Sequence, residues 1–235
     1  MDGPPSSRAR STAPRLAIGH GPTITHDGVV VVDLRPFPVT RNPGRRLPQL
    51  FCGLLLYAVS MAMQIRSGLG LNPWDVLHEG LTKQTPLSFG AVTAITGVIV
   101  LLLWIPLRQR LGVGTVANVV VIAAIIDLAL ALLPAPDGLA ARGVLLVAGV
   151  VLNGLATAAY VGARLGPGPR DGLMTGLSAR TGRSVRVVRT CIEVVVLAGG
   201  WLLGGTVGVG TVLYALAIGP LTQAFLPLVV VRTRQ

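Results

Sequence analysis

Six apolar blocks dominate this sequence, and each is about as long as a bilayer is thick. They fall at about residues 47–65, 88–107, 113–133, 143–161, 184–203 and 208–231. A helix of about 20 residues crosses the roughly 30 Å hydrocarbon core. Only 12% of the 235 residues are charged, about half the fraction in a soluble domain. We therefore expect an all-α polytopic membrane protein with six transmembrane helices, which excludes an ordinary soluble enzyme.

The basic residues indicate how the chain crosses the membrane. Twenty Lys and Arg against nine Asp and Glu give a net charge of +11. The arginines concentrate in the first 46 residues and in alternate connections between blocks, whereas the other connections hold only Arg66, Lys83 and Arg142. Because positive charge accumulates on the cytoplasmic side, we expect a bacterial plasma-membrane protein with both termini in the cytoplasm. No basic face is interleaved with aromatic residues, so nucleic acid is not an expected partner.

The polar ends of the chain predict two tails around one membrane domain. Residues 1–46 are rich in Pro and Arg and lack the features of a signal peptide, which predicts a disordered cytoplasmic tail that is retained. Arg41, Arg45 and Arg46 stand directly before the first block, where we expect them at the anionic inner leaflet. Residues 47–231 form the predicted membrane domain, and residues 232–235 form a second cytoplasmic tail.

A repeat relates the two halves of the membrane domain. Shifted by 96 positions, residues 69–132 match residues 165–228 at 22 of 64 places, and the sequence GVGTV recurs with Gly114 and Gly210 at its centres. The other matched small residues and prolines are Gly70, Pro73 and Gly80, which recur as Gly166, Pro169 and Gly176. We interpret these positions as structural, since small residues at a span's start let helices pack closely. For GVGTV an alternative is a broken helix end that exposes carbonyl groups to an ion.

Each repeat unit, residues 47–134 or 143–231, contains three predicted crossings. An odd number of crossings places the second unit upside down relative to the first. We therefore expect two inverted three-helix repeats related by a pseudo-two-fold axis in the membrane plane. Many secondary transporters have this plan, although a duplicated scaffold without a transport role would have it as well.

A Pro-x-Asp motif follows the first span of each unit. A short helix is predicted to begin at Pro73 and again at Pro169, because proline suits the first helical position, and to lie in the interface or re-enter the membrane. By the expected topology, Asp75 faces outside and Asp171 faces the cytoplasm. The free N–H groups at such a helix start bind anions, and Arg170 would add a full charge. Alternatively, the two aspartates cap their own helices.

Few ionisable residues lie within the predicted spans, where a central charge costs about 2.5 to 3.5 kcal/mol on insertion scales. Glu193 is the deepest, with Arg189 one turn earlier, and the two form either a structural ion pair or part of a site. Asp127 is alone in its span and either titrates or bonds to a neighbouring helix. Asn118 is a ligand candidate or helix-to-helix glue. With Asp75, Asp171 and Arg170, these four are the candidate ligand-binding residues.

Nothing in the sequence favours catalysis. His20 and His26 lie in the tail and His78 in a predicted outer loop, so no histidine is expected in the membrane core. The HExxH, GxSxG and P-loop patterns are absent. Cys52 and Cys191 lie singly inside apolar blocks, which favours buried small hydrophobes. We expect no enzyme activity, no catalytic residue, no cofactor and no bound metal.

The segments GLGLNPWDVLHEGL at 68–81 and GPGPRDGLMTGLSARTGRSVRVVRTCIEV at 166–194 resemble the YczE-type family of bacterial integral membrane proteins. This family is related to the broader YitT-like membrane proteins. The resemblance covers roughly residues 47–231 and implies a multi-pass protein of the bacterial plasma membrane. It implies an architecture and no particular chemistry, so no binding residue follows from it.

Two functional hypotheses follow from the repeat and the motifs. The first is a transporter or export component for a small anionic or amphipathic solute, and it is favoured by the paired helix starts and by short loops without room for another domain. The second is a non-transporting accessory or scaffold protein that regulates another membrane complex, and it is favoured by the scarcity of charge within the spans. The expected partners are the lipid bilayer, a small solute, and a membrane protein or a second copy of the chain.

Overall fold

The structure, a computed structural model, describes residues 25–26, 29–30, 36 and 38–231. Contacts divide the chain into two units, residues 1–35 and 36–235. In the first unit, strands β1 (Thr25–His26) and β2 (Val29–Val30) pair antiparallel, with Thr25 opposite Val30. The predicted tails at 1–46 and 232–235 lie largely outside the described residues.

The described part of the second unit is all-helical. Its eight helices are α1 (Pro43–Ser67), α2 (Pro73–Gln84), α3 (Phe89–Leu107), α4 (Val113–Leu132), α5 (Leu139–Gly162), α6 (Pro169–Thr181), α7 (Val185–Leu202) and α8 (Val209–Val229). Among the described residues, α1, α3, α4, α5 and α8 are long and apolar enough to cross a membrane. The sixth predicted span corresponds to α7, which carries Arg186, Arg189 and Glu193 within its 18 residues and is not one of these five.

Every helix of the first half has a counterpart that starts 96 residues later. The short helices α2 and α6 begin at Pro73 and Pro169, as predicted. In each, proline occupies the first turn, where its missing N–H group removes no helical hydrogen bond. The first helix begins at Pro43, four residues before the predicted span, so residues 43–46 belong to α1.

Helices α1 and α5 form the centre of the fold, and each ends against the first turn of the other. Arg46 donates from Nε to the Ala163 carbonyl at 2.9 Å and from Nη2 to the Arg164 carbonyl at 3.0 Å. Ninety-six residues later, Arg142 donates to the carbonyl of Ser67 at 2.6 Å and to the glycine that follows at 3.0 Å. The start of each helix therefore meets the end of the other, and α1 and α5 pack antiparallel.

Arg46 does not lie at the lipid surface, contrary to the prediction. Its side chain is 0% exposed. Helix ends leave their last carbonyl groups without a partner in the helix, and a buried guanidinium supplies several donors to such groups. The end of α5 therefore holds this arginine inside the protein.

The two GVGTV segments interlock the halves. Gly114 donates its N–H to the Leu165 carbonyl at 2.9 Å, and Gly210 donates to the Leu69 carbonyl at 2.8 Å. A Cβ at either glycine would meet the opposite backbone, at Leu165 or at Gly70. Both glycines therefore contact the loop that precedes the short helix of the other half.

Gly70 and Gly166 form the other side of this contact. Their φ angles are +113° and +136°, a region that L side chains rarely adopt. A Cβ at Gly70 would also lie 2.6 Å from the backbone nitrogen of Gly208, and one at Gly166 would lie 2.8 Å from Oγ1 of Thr115. Both the backbone conformation and the space therefore require glycine.

One pair of equivalent contacts differs in size between the halves. On α3, the indole of Trp104 packs directly against Gly172 of α6, and its Nε1 donates to the Pro169 carbonyl at 3.0 Å. The equivalent residue of α7 is Gly200, which lies against the backbone of Val76 on α2. The indole holds α3 away from α6, whereas glycine lets α7 approach α2 closely.

The two halves also differ in how their last two long helices pack. We term the contact between α3 and α4 the α3–α4 seam. Gly90 donates its N–H to Oδ1 of Asp127 at 2.8 Å. A Cβ at Gly90 would meet the Ala123 carbonyl, and one at Gly97 would lie 3.0 Å from the Val119 side chain. Small residues on α3 thus let the two helices pack side by side.

Helices α7 and α8 lack this extensive packing. The residues equivalent to the α3–α4 seam, which we term the α7–α8 seam, are Arg186, Glu193, Ala215, Gly219 and Gln223. Arg186, Ala215 and Gln223 are exposed, and no atom lies within 4 Å of a Cβ placed on Gly219. Since α7 is drawn onto α2, the α7–α8 seam is open.

Candidate functional site

The candidate site lies where α2 and α6 begin. Asp75, in the first turn of α2, is 0% exposed, and its Oδ1 lies 3.6 Å from Nη2 of Arg170 in the first turn of α6. The sequence placed the two Pro-x-Asp motifs at opposite faces of the membrane. This expectation is wrong for their first turns, which meet inside the protein. The meeting depends on long-range packing of the two halves, which a single motif does not encode.

The start of α2 is capped by Asn72. Its Oδ1 accepts from the backbone N–H of Asp75 at 3.1 Å, and its Nδ2 donates to Oδ2 of Asp75. Asn72 is therefore the capping residue. The carboxylate of Asp75 is left to interact with His78, 3.5 Å away on the same helix, and with Arg170.

Arg170 joins the two helix starts. Its guanidinium carbon lies 4.9 Å from the ring centroid of Trp74, a cation–π contact, beside the ion pair with Asp75. One quarter of the Arg170 side chain is exposed, whereas that of Asp75 is buried. A guanidinium carries five N–H donors, so the exposed part of Arg170 can bind a further acceptor.

His78 is buried in α2, contrary to its predicted place in an outer loop. It is 2% exposed, its Nδ1 lies 3.4 Å from the Thr93 hydroxyl, and its ring stacks edge-on against Phe89 at 5.8 Å. Burial lowers the pKa of the His78 ring below its ordinary value, against the nearby carboxylate of Asp75, which favours the protonated ring.

Asp171 borders the same cluster and is exposed. Its Oδ2 accepts from the Tyr160 hydroxyl at 3.2 Å, and the carboxylate also accepts from the N–H of Gly168. Desolvation by the surrounding protein raises the pKa of Asp171, and the Tyr160 hydrogen bond and the charge of Arg189 partly offset that rise. Asp171 thus caps its own helix, the alternative considered from the sequence, while remaining accessible.

Tyrosine and amide groups continue the cluster into the long helices. Tyr57 of α1 stacks edge-on against Tyr160 of α5, with ring centroids 6.1 Å apart. The Tyr214 hydroxyl donates to Oδ1 of Asn153 at 3.1 Å, and Nδ2 of Asn153 donates to Ser60 at 2.7 Å. A polar path therefore links α8, α5 and α1 beside the two helix starts.

Three buried polar atoms of α2 lack a hydrogen-bond partner among the described residues. They are Nε1 of Trp74, Oδ1 of Asp75 and Nε2 of His78. Buried polar groups in native proteins are hydrogen-bonded in the great majority of cases. These three atoms can therefore form hydrogen bonds with a further polar group. Their concentration within five residues, next to Arg170, makes this the polar centre of the molecule.

The other predicted ligand residues lie elsewhere. Arg189 and Glu193 form an ion pair on α7 with a 2.8 Å Nε to Oε1 distance, and their side chains are 49% and 29% exposed. Asp127 bonds to Gly90 across the α3–α4 seam, as one of its two interpretations predicted. Asn118 is half-buried on α4, and no hydrogen bond connects it to the cluster within the described residues.

The glycines Gly80 and Gly176 of the short helices lie close to residues of neighbouring segments. A Cβ at Gly80 would lie 2.6 Å from the Gly200 carbonyl, and one at Gly176 would lie 3.0 Å from the Gln109 side chain. Cys52 and Cys191 are exposed, so the prediction that they are buried is wrong. Both lie on outward faces of their helices, where apolar residues need no burial if lipid surrounds them.

Sequence reasoning missed His78 and the tyrosines Tyr57, Tyr160 and Tyr214. His78 and Asp75 are three residues apart on one helix, a spacing that places them on one face and could have linked them. The tyrosines carry no comparable signal, because their meeting depends on how three distant helices pack. Among the described residues, no group of three His, Cys, Asp or Glu side chains could hold a metal ion.

The apolar helices, with a buried polar centre and apolar outer faces, define a multi-helix membrane protein. The chain belongs to the family of unknown function DUF6198, which matches residues 44–227. The resemblance to YczE-type proteins is confirmed by its relatives.

Three of those relatives cover three quarters of the chain. An uncharacterized protein of Haemophilus influenzae is 41% identical over 181 residues, 75% of this chain and 83% of that protein. The uncharacterized membrane protein YczE of Bacillus subtilis is 34% identical over 179 residues, 75% of this chain and 83% of YczE. YyaS of the same organism is 28% identical, with 75% and 90% covered. No solved structure matches the chain significantly.

Proposed function

We propose that the protein is a transporter of a small anionic or amphipathic solute, built from two inverted three-span halves with α7 as the sixth span. Reciprocal contacts between the two halves support this arrangement. Arg46 of α1 binds the end of α5, and Arg142 of α5 binds the end of α1. Gly114 and Gly210 each donate a backbone hydrogen bond to the other half. Bodies related by a two-fold axis contact each other in this reciprocal way. Because α1 and α5 are antiparallel, such an axis lies across the helices.

The charges of α7 do not prevent it from spanning. Arg189 and Glu193 neutralise each other at 2.8 Å, and paired charges reduce the cost of placing them in a bilayer. In this arrangement α2 and α6 are re-entrant helices. The burial of Trp74, Asp75 and His78 supports that placement, because an interfacial helix would expose one face to water.

The observation that carries the proposal is the set of buried polar atoms without a hydrogen-bond partner beside Arg170, above all the N–H donor Nε1 of Trp74 and Nε2 of His78. Two helix starts meet there, and their dipoles favour a negative charge. The exposed part of Arg170 supplies a full positive charge, and the nearby tyrosines supply hydroxyl groups and apolar ring faces. A small solute with an anionic group and an apolar portion fits this chemistry. Inverted-repeat transporters hold solutes between their halves, at broken helices.

The open α7–α8 seam supports a route to this centre. Arg189 on α7 lies close enough to Asp171 for its charge to act on that carboxylate, and Asp171 is accessible. The equivalent α3–α4 seam is closed by Gly90 and Asp127. If the halves exchange these two arrangements, the centre becomes accessible from one side and then from the other.

A second candidate function is an accessory role in a membrane complex. The exposed ion pair of Arg189 and Glu193 favours it, because charged groups on a span are placed to meet a polar partner. In this case a helix of another protein, or of a second copy, would cover the α7–α8 seam.

Solute-dependent current tests the proposal. Purified full-length protein in liposomes is adsorbed on a solid-supported membrane and exposed to citrate, lactate, alkyl phosphates and N-acyl amino acids, with and without a proton or sodium gradient. We expect a current with at least one solute class, reduced at least tenfold by Arg170→Ala. Arg110→Ala, an exposed arginine outside the site, is the matched control and should keep the current.

Two results would overturn transport in favour of the accessory role. One is the absence of current for every solute and gradient with correctly folded wild-type protein. The other is a stoichiometric membrane partner that co-purifies with the protein, together with a cellular phenotype that Arg170→Ala leaves intact.

A further inference from the structure

A groove of about 320 Å³ between α6 and α7 lies apart from the polar centre. Its lining residues are Leu177, Thr181, Arg183, Val187, Val188, Cys191 and Ile192. The floor is almost entirely apolar, and the arginine stands at the end where α6 turns into α7. Nine residues of helical rise, about 13 Å, separate that end from the far end of the groove. The groove is therefore long, narrow and apolar, with a charged mouth.

Two further arginines are close to this end of the groove in the sequence. Arg180 lies in the last turn of α6 and Arg186 in the first turn of α7, three residues before and three residues after Arg183, and all three are exposed. No acidic residue occurs from residue 172 to residue 192. Within the described part of the chain, none of the three arginines forms an ion pair. The mouth therefore carries a positive charge that the described protein does not neutralise.

The other half of the protein provides an internal comparison. The residues equivalent to the three arginines are Gln84, Leu87 and Gly90, all uncharged. The basic residue nearest that corner, Lys83, is paired with Glu79 at 3.1 Å. The fold shared by both halves thus forms without arginines at this corner, so their role lies in what the α6–α7 corner contacts.

The start of α7 adds to the positive charge. Ser184 caps one N–H group, that of Val187, at 3.4 Å, while other first-turn N–H groups have no helical partner. The partial positive charge of a helix start favours a phosphate group. In a membrane protein this outward face contacts the bilayer, so the molecule that fills an apolar groove here is a lipid.

We propose that the α6–α7 groove binds an anionic phospholipid, whose phosphate contacts Arg180, Arg183 and Arg186 and whose acyl chain lies along Val187, Cys191 and Ile192. Basic pockets between helices at the cytoplasmic side are sites of this kind. The orientation expected from the distribution of arginines places this corner at the anionic inner leaflet. The site uses none of the residues of the polar centre and shares one residue, Arg186, with the α7–α8 seam, so lipid binding and transport can be tested separately.

Cys191 gives a direct reporter of occupancy, since it lines the groove and is exposed. Full-length protein with Cys52→Ser is placed in nanodiscs of phosphatidylcholine, alone or with 30 mol % phosphatidylglycerol, on the order of the charge of an inner leaflet. The rate of labelling by neutral N-ethylmaleimide is then measured. We expect phosphatidylglycerol to slow labelling at least fivefold. The variant Arg180→Gln/Arg183→Gln/Arg186→Gln should lose this protection.

Two controls separate a site from a general surface effect. In the Cys191→Ser protein, labelling of Cys52 on α1 shows how the anionic surface itself changes thiol reactivity. The variant Arg108→Gln/Arg110→Gln removes two exposed arginines from the loop between α3 and α4 and should keep the protection of Cys191. Equal labelling of Cys191 in the two lipid compositions would contradict the proposal. Protection by soluble glycerol phosphate as strong as by the lipid would also overturn it, in favour of a small-anion site.

Discussion

Arg46 and Arg142 occupy equivalent positions in the two halves, and each binds the last carbonyl groups of the opposite central helix. Arg170 sits in the polar centre instead, paired with Asp75 and stacked on Trp74. The surroundings of each arginine therefore determine whether it caps the end of a helix or forms part of the polar centre. Burial separates the two cases, since Arg46 is fully buried and Arg170 is partly exposed.

Replacement of Arg46 by Gln tests the first role. Arg46→Gln leaves the ends of α5 without their donors, and hydrogen bonds to a charged group contribute about 1.5 to 3 kcal/mol each. We expect the free energy of unfolding to fall by about 3 kcal/mol, seen as a lower melting temperature in detergent. Arg45→Gln, one residue earlier and exposed, is the control. Equal melting temperatures for the two variants would show that the caps do not stabilise the fold.

Some residues could be placed from the sequence and others could not. The helix starts at Pro73 and Pro169 were predicted correctly, because the effect of proline on a helix start is local. The burial of His78 and the meeting of Asp75 with Arg170 depend on the packing of helices nearly a hundred residues apart. The repeat did contain one unused signal, since Arg46 and Arg142 also obey the 96-residue shift.

At the scale of the helices, one change of residue size distinguishes α3 from α7. Trp104 on α3 fills the space that Gly200 leaves open on α7. The glycine brings α7 against α2 and away from α8, whereas α3 packs against α4. The sequence predicted the length and the start of α7. It did not predict that α7 packs against α2, because this contact depends on how distant helices come together.

The neighbouring glycines Gly199 and Gly200 provide a matched test of this packing. A Cβ at Gly200 would collide with the backbone of Val76 and Leu77, whereas one at Gly199 would meet only the end of the Leu77 side chain, at 3.9 Å. Overpacking of this kind costs about 1 to 3 kcal/mol. We expect Gly200→Ala to lower the melting temperature by several degrees, by order of magnitude, and Gly199→Ala to leave it unchanged or raise it, since alanine favours helix. Similar effects of both variants would contradict the close approach of α7 to α2.

At the scale of the whole molecule, the account depends on two halves in opposite orientation with the polar centre between them. The repeat and the two short helices could be predicted from the sequence. The convergence of α2 and α6 could not, because each motif determines its own local structure and not its depth in the fold. Within the described residues, the α3–α4 seam is packed and the equivalent α7–α8 seam is open.

The sidedness of two equivalent threonines tests this account most directly. Thr85 and Thr181 lie at the ends of the short helices and match in the repeat. Each donates its hydroxyl to a carbonyl four residues earlier at 2.8 Å. In a Cys52→Ser/Cys191→Ser background, Thr85→Cys and Thr181→Cys are labelled with a membrane-impermeant maleimide in intact cells and in inside-out vesicles. We predict labelling from opposite sides, with residue 85 outside and residue 181 in the cytoplasm. Labelling of both residues from the same side would contradict the inverted arrangement of the halves.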